Sequence, residues 1–156
     1  CYRLIERDLI VANCHKIPAN RFEKKLFTVE QITDIYRELL PQILQFNPKL
    51  KVIFTVSPVR HLADGFHENQ ISKATLHLSI NQLIDNKNTF YFPSYEMVQD
   101  DLRDYRFYAT DLCHPSEAAV TYISEKLTEA FFTKETQERM KEVVKENKAK
   151  GHRRMC

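Results

Sequence analysis

Asp111 and His114 stand three residues apart in DLCHPSEAAVTYISEKL, with Pro115 next and an amphipathic run behind them. An Asp that holds a His is two thirds of an acyl-transfer site. The carboxylate orients the imidazole through Nδ1–H, and the Nε2 lone pair takes a proton from a nucleophile. The same spacing recurs at Asp64 and His67, in RHLADGFHEN, where Gly65 marks a turn. Context separates the two pairs. Asp111 and His114 close a polar stretch, Asp100 to His114, directly before the last apolar-periodic segment, where a turn can fold the carboxylate back onto the ring. A structural use of the same residues is an Asp cap beside a packed His.

A nucleophile is harder to place. Ser57 ends an apolar run, but Pro58 removes the backbone N–H that would help bind an oxyanion, so Ser57 reads as a structural hydroxyl. Cys14 and Cys113 each precede a His. That raises a Cys-His nucleophile, or a zinc site of Cys14, His15, Cys113 and His114. Adjacent residues of an extended segment point to opposite faces, which argues against either dipeptide offering both side chains to one metal. A buried inert thiol is the ordinary alternative. Neither a metal nor an organic cofactor is expected.

The elements that must position the pair follow from periodicity. DLIVANC, Asp8 to Cys14, is a short apolar run that reads as a buried strand. Thr28 with Gln31 makes a capping box before Ile32, Ile35, Leu39, Ile43 and Leu44; Pro41 is expected to kink or divide that helix, and Asn47-Pro48 to end it. KVIFTVSP is a second buried strand. Ser72 is placed as the cap of a helix carrying Leu76, Ile80, Leu83 and Ile84, stopped at Asn86-Lys87-Asn88. A third strand runs from Thr89 to Phe92, and the Asp100–His114 stretch is read as an irregular loop. Pro115 suits a first helical turn, with Ala119, Tyr122, Ile123, Leu127, Ala130 and Phe131 on the inner face of the closing helix. Strands alternating with helices of crossover length argue a parallel sheet covered on both faces, with chemistry at its carboxyl edge.

Composition narrows the class. The chain of 156 residues, 43% apolar and 28% charged, suits one globular domain, residues 1–132, followed by a charged helix and basic tail, residues 133–156. Residues 134–156 hold 8 of the 23 basic and 4 of the 21 acidic side chains, so the main body is near neutral and nucleic acid is not the expected partner. No apolar run approaches the roughly 18 residues of a membrane span. Cys1, Cys14, Cys113 and Cys156, without a CxxC pair, favour free thiols and a cytoplasmic location. The chain begins with Cys and holds two glycines, Gly65 and Gly151, where about 7% usage would give roughly eleven. The expectation is an N-terminally truncated domain lacking its Gly-rich part.

The stretches VANCHKIP, FTVSPVRHLADG, NQISKATLHL, YFPSYE and DLRDYRFYATDLCHPS resemble the GSCFA domain family, a branch of the SGNH/GDSL-like hydrolase superfamily. The likeness runs from about Asp8 to Phe131. It implies a flavodoxin-like three-layer α/β/α fold and a Ser-His-Asp ester hydrolase acting on a small-molecule or carbohydrate ester. The D-x-x-H block of the superfamily falls on Asp111 and His114, and its Asn block on Asn13. The glycine-serine stretch that names the family, with its nucleophile, is not in this sequence, so the resemblance implies a serine outside the chain. His15, Arg60, His61, Tyr95, Arg103 and Arg106 are then the candidates for shaping a substrate pocket. Two competing classes stay open: a metal- or thiol-dependent enzyme, which would bring Cys14 and Cys113 side by side, and a non-catalytic interaction domain on a degenerate hydrolase fold, in which Asp111 would lie more than about 4 Å from the His114 ring.

Overall fold

The computed structural model describes residues 2–11 and 16–152. The chain divides into two compact units, Cys1–Val56 with His61–Tyr91, and Ser57–Arg60 with Phe92–Cys156.

In the first unit, β1 (Tyr2–Leu4), β2 (Leu9–Val11) and β3 (Phe22–Lys24) form an antiparallel sheet in the order β2-β1-β3. The connection from β1 to β2 is a 3₁₀ turn, Ile5–Arg7, followed by Asp8 at φ 51°. A link that short can only reverse the chain, since a parallel crossover needs a dozen or so residues. Arg3 holds the sheet from its middle strand, pairing with Asp8 at 2.9 Å and Glu23 at 2.5 Å. The apolar run from Asp8 reads in sequence as a buried strand of a parallel sheet. Its described part is instead antiparallel, with Leu9 and Ile10 about half exposed.

Helix α1 (Val29–Phe46) starts at the expected capping box, with Thr28 Oγ1 accepting from Gln31 N–H and Gln31 Oε1 accepting from Thr28 N–H. It runs undivided through Pro41 and ends at Asn47. After β4 (Val52–Phe54), helix α2 (Phe66–Asn81) begins at Gly65 and not at Ser72. Two features start it early. Gly65 takes φ 89°, a conformation that L side chains rarely adopt, and the buried Asn69 accepts the His61 N–H at 2.9 Å, anchoring the first turn.

Strand β5 (Thr89–Tyr91) pairs in parallel with β4, Ile53 opposite Phe90. The turn into β5 is held by the Asp85 carboxylate, which accepts from the N–H groups of Thr89, Lys87 and Asn88 and is kept well below the usual carboxylate range by those bonds. Val56, Ile80, Leu83, Thr33 and Ser79 are buried in this unit, and the Tyr36 and Phe54 rings meet edge to face at 5.3 Å.

In the second unit, α3 (Ser94–Glu96) continues as a π-helical turn, Met97–Leu102, closed where Arg103 at φ 45° donates its N–H to Val98. A 3₁₀ turn, Tyr105–Phe107, leads into a tight hairpin. There Tyr108 is bridged antiparallel to Pro115, Ala109 N–H donates to His114 O at 2.8 Å, and Ser116 N–H donates to Phe107 O at 2.8 Å. Thus the stretch expected to be irregular is ordered by backbone bonds of its own. Pro115, expected in the first helical turn, lies in the hairpin. Ser116 is the cap of α4 (Glu117–Phe131), accepting from Ala119 N–H.

Ala119 is fully buried, and the Phe131 ring meets Phe92 edge to face at 6.1 Å. The charged α5 (Lys134–His152) carries local pairs such as Arg139 with Glu142 at 2.8 Å. The architecture is α/β, with one antiparallel and one parallel sheet; the described residues form these two small sheets and not one continuous parallel sheet. Among them no helix is long and apolar enough to cross a membrane.

Candidate active site

The hairpin between Phe107 and Ser116 is built around one carboxylate. Asp111 Oδ1 accepts the backbone N–H groups of Cys113 at 2.9 Å and His114 at 3.0 Å, an arrangement that a short Asp side chain makes with the residues two and three ahead of it. Leu112, between them, is forced to φ 56°. The other oxygen, Oδ2, lies 2.6 Å from Nδ1 of His114. Three donors converge on the carboxylate. The backbone bonds from His114 and Cys113, then the ring, depress its pKa from 3.8 to about 2. At neutral pH the group is therefore ionised and can only accept, so Nδ1 carries the proton and the lone pair of the neutral ring sits on Nε2.

The two side chains are 48% and 63% exposed for Asp111 and His114, so solvent screens the pair and its value lies in orientation more than in stability. Among the described residues His114 Nε2 makes no hydrogen bond, and no Ser or Cys is bonded to it. Ser57 Oγ accepts the N–H of Val59 at 3.2 Å. Cys113 is a half-buried free thiol.

Arg60 is the sequence-predicted pocket residue that the structure brings to this hairpin. Its N–H donates to Cys113 O at 3.1 Å, Nη1 approaches Leu112 O at 3.4 Å, and the guanidinium lies 4.0 Å above the Tyr108 ring. The Tyr105 ring centre lies 5.5 Å from the same guanidinium. Arg60 and Arg103 both line a cavity of about 210 Å³ with Gln99, Asp104, Tyr105 and Tyr108. Arg106 is used otherwise, facing Asp104 at 3.5 Å and the Phe107 ring. Tyr95 is half-buried in α3, and His61 gives its N–H to Asn69 in the first unit. Asn13 and His15 lie outside the described residues, as does the Cys14–His15 half of the zinc reading. Among the described residues no group of three His, Cys, Asp or Glu side chains could hold a metal.

Sequence reasoning missed Tyr108 and Gln99. Tyr108 is buried, supports Arg60 on its face and accepts a bond from Gln99 Nε2 at 3.1 Å on its hydroxyl. The available signal was the aromatic run in RDYRFY, where alternating arginines and rings invite cation–π stacking.

The GSCFA family model matches residues 1–127. The chain belongs to the GSCFA family. No curated protein and no solved structure matches this GSCFA chain. The matched span contains the Asp111–His114 hairpin, Arg60 and the whole of the arginine-lined cavity, and it ends within α4.

Proposed function

We propose that this GSCFA protein is an ester hydrolase of the SGNH type, with a flavodoxin-like three-layer arrangement in its complete domain, in which His114 is the general base. The observation that carries the reading is the 2.6 Å contact between Asp111 Oδ2 and His114 Nδ1, which in the neutral ring puts the proton on Nδ1 and the lone pair on Nε2. A serine hydroxyl brought to Nε2 from outside these 156 residues gives up its proton there as it attacks the ester carbonyl. Asp111, ionised down to about pH 2, balances the charge of the imidazolium that forms. The proton then passes from Nε2 to the departing alcohol, and water repeats the cycle on the acyl-enzyme. Asn13, by its side-chain amide, is the proposed oxyanion donor, an interaction worth about 3–4 kcal/mol in the transition state. Small-molecule or carbohydrate esters are the substrate class.

The competing interaction-domain reading requires the carboxylate drawn back from the ring, and the 2.6 Å distance favours the hydrolase. The test is p-nitrophenyl acetate hydrolysis by residues 1–156 alone and by a form that includes the coding sequence upstream of Cys1, each with His114 and with Ala in its place. The longer form is expected to turn over ester and to lose at least about 10³-fold in His114→Ala with its fold unchanged. A loss below about tenfold would make His114 structural. Turnover by residues 1–156 alone that disappears in His114→Ala would place the nucleophile inside the chain.

A further inference from the structure

Arg60 and Arg103 are the charged groups that the hairpin does not spend. Among the described residues neither guanidinium has a carboxylate partner, in a chain where Arg3, Arg21, Arg37, Arg106 and Arg139 all do. Arg60 is half-buried with its guanidinium 4.0 Å from the centre of the Tyr108 ring, and the one hydrogen bond its side chain makes is a long 3.4 Å approach to Leu112 O. Among the described residues the Arg103 side chain finds no hydrogen-bond acceptor, and its backbone is turned to φ 45° by the closing bond of the π-helical turn. Both open onto the same cavity of about 210 Å³. A guanidinium held against a ring, as that of Arg60 is, loses less entropy on gripping an oxyanion, and the exposed Arg103 adds a second forked donor.

We propose that this cavity is a carboxylate subsite, and that the esters cleaved at His114 carry a second, free carboxylate which Arg60 and Arg103 hold. The assignment rests on the hydrolase reading for its position in the reaction, but its binding chemistry stands apart. Asp104 also lines the cavity, but its Oδ1 already accepts the Arg106 backbone N–H and faces the Arg106 guanidinium at 3.5 Å, so Arg60 and Arg103 keep the cavity positive. The planar fork of a guanidinium matches a planar carboxylate, and phosphate is the competing anion that the test must separate from it. Gln99, whose Nε2 donates to Tyr108, and the two tyrosines supply a polar wall and a stacking wall for the remainder of that group. Because Arg60 is tied by its N–H to Cys113, next to His114, the held carboxylate is linked to the base through a single short hairpin.

The probes are propionate, propionamide and inorganic phosphate, titrated into the ¹⁵N-labelled chain while the amide signals of Gln99, Arg103 and Tyr108 are followed. Propionate is expected to shift those signals saturably and propionamide not to. Arg103→Gln and Arg60→Gln should each weaken the propionate Kd at least about tenfold, whereas His114→Ala leaves it unchanged. Arg103→Gln keeps the test sharp if loss of the Arg60 stack unfolds the hairpin. In the ester-hydrolysing form, p-nitrophenyl hemisuccinate should be preferred over p-nitrophenyl acetate in kcat/KM, and Arg103→Gln should erase most of that preference. No propionate response, or tighter binding of phosphate than of propionate, overturns the carboxylate subsite. Equal hydrolysis of both esters without propionate binding removes the subsite and leaves the hydrolase standing. Propionate binding with hydrolysis of neither ester removes the hydrolase reading and leaves a carboxylate-binding cavity.

Discussion

At the scale of single residues, Asp111 does two things that a neutral isostere would separate. Its Oδ1 closes the turn by accepting two backbone N–H groups, and Oδ2 fixes the imidazole. In Asp111→Asn the amide oxygen can keep the turn, but an NH₂ then faces Nδ1 and drives the ring proton to Nε2. Ester hydrolysis should fall about 10³–10⁴-fold with the fold retained, and an activity within about tenfold of wild type would mean that the tautomer is irrelevant. The same residue sets an acid dependence. Its carboxyl titrates near 2 in the folded chain against an ordinary 3.8, so its stabilising contribution is complete above about pH 4 and is lost as pH falls through about 2. Urea unfolding of wild type and of Asp111→Asn should therefore converge between about pH 4 and about pH 2, and a gap that widened on acidification would contradict the assignment. The pair was legible in the sequence because every bond of the Asp111 carboxylate is to a residue two or three positions away. Arg60 on Tyr108 was not, because a stack between distant segments leaves no local spacing to read.

At the scale of elements, local rules located most boundaries and tertiary anchors moved the others. The Thr28 box and the Asn47 stop of α1 were readable because they come from residues that bond their own neighbours. Helix α2 starts at Phe66, ahead of the cap that Ser72 would offer, because its anchor is Asn69 bonding the N–H of His61, a contact outside the helix. Gly65 carries that start. Alanine there must hold φ 89° and would bring its Cβ 2.9 Å from Glu68 Oε2, so Gly65→Ala should destabilise by about 1–2 kcal/mol in urea unfolding, and a neutral result would place the helix start elsewhere. The Asp100–His114 stretch reads as irregular because its order comes from a π-helical turn and a hairpin bridge, neither of which has a strong apolar period. The direction of the first strand was not legible either, since an apolar run shows burial tendency and says nothing about the strand that precedes it.

At the scale of the whole molecule, the α/β class was readable from alternating strand and helix patterns, whereas the sheets were not. Two short sheets with different strand directions replace the one parallel sheet that the alternation suggested for these residues. The family match ends within α4, and α5 lies beyond it with a solvent-facing pattern of Lys and Glu. Chains ending at Thr133 should accordingly keep the ring signals of His114 and the amide signals of the Arg60 hairpin unchanged. Large shifts there would make α5 part of the site's support.

The ring nitrogens of His114 give the most direct test of the central claim, that Asp111 holds an imidazole with its base at Nε2. A long-range ¹H–¹⁵N spectrum of the histidine side chains, recorded in alkaline buffer where imidazoles are neutral, should show a protonated Nδ1 and a bare Nε2 on His114. Asp111→Asn should move the proton to Nε2. A wild-type spectrum with the proton already on Nε2 would contradict the account.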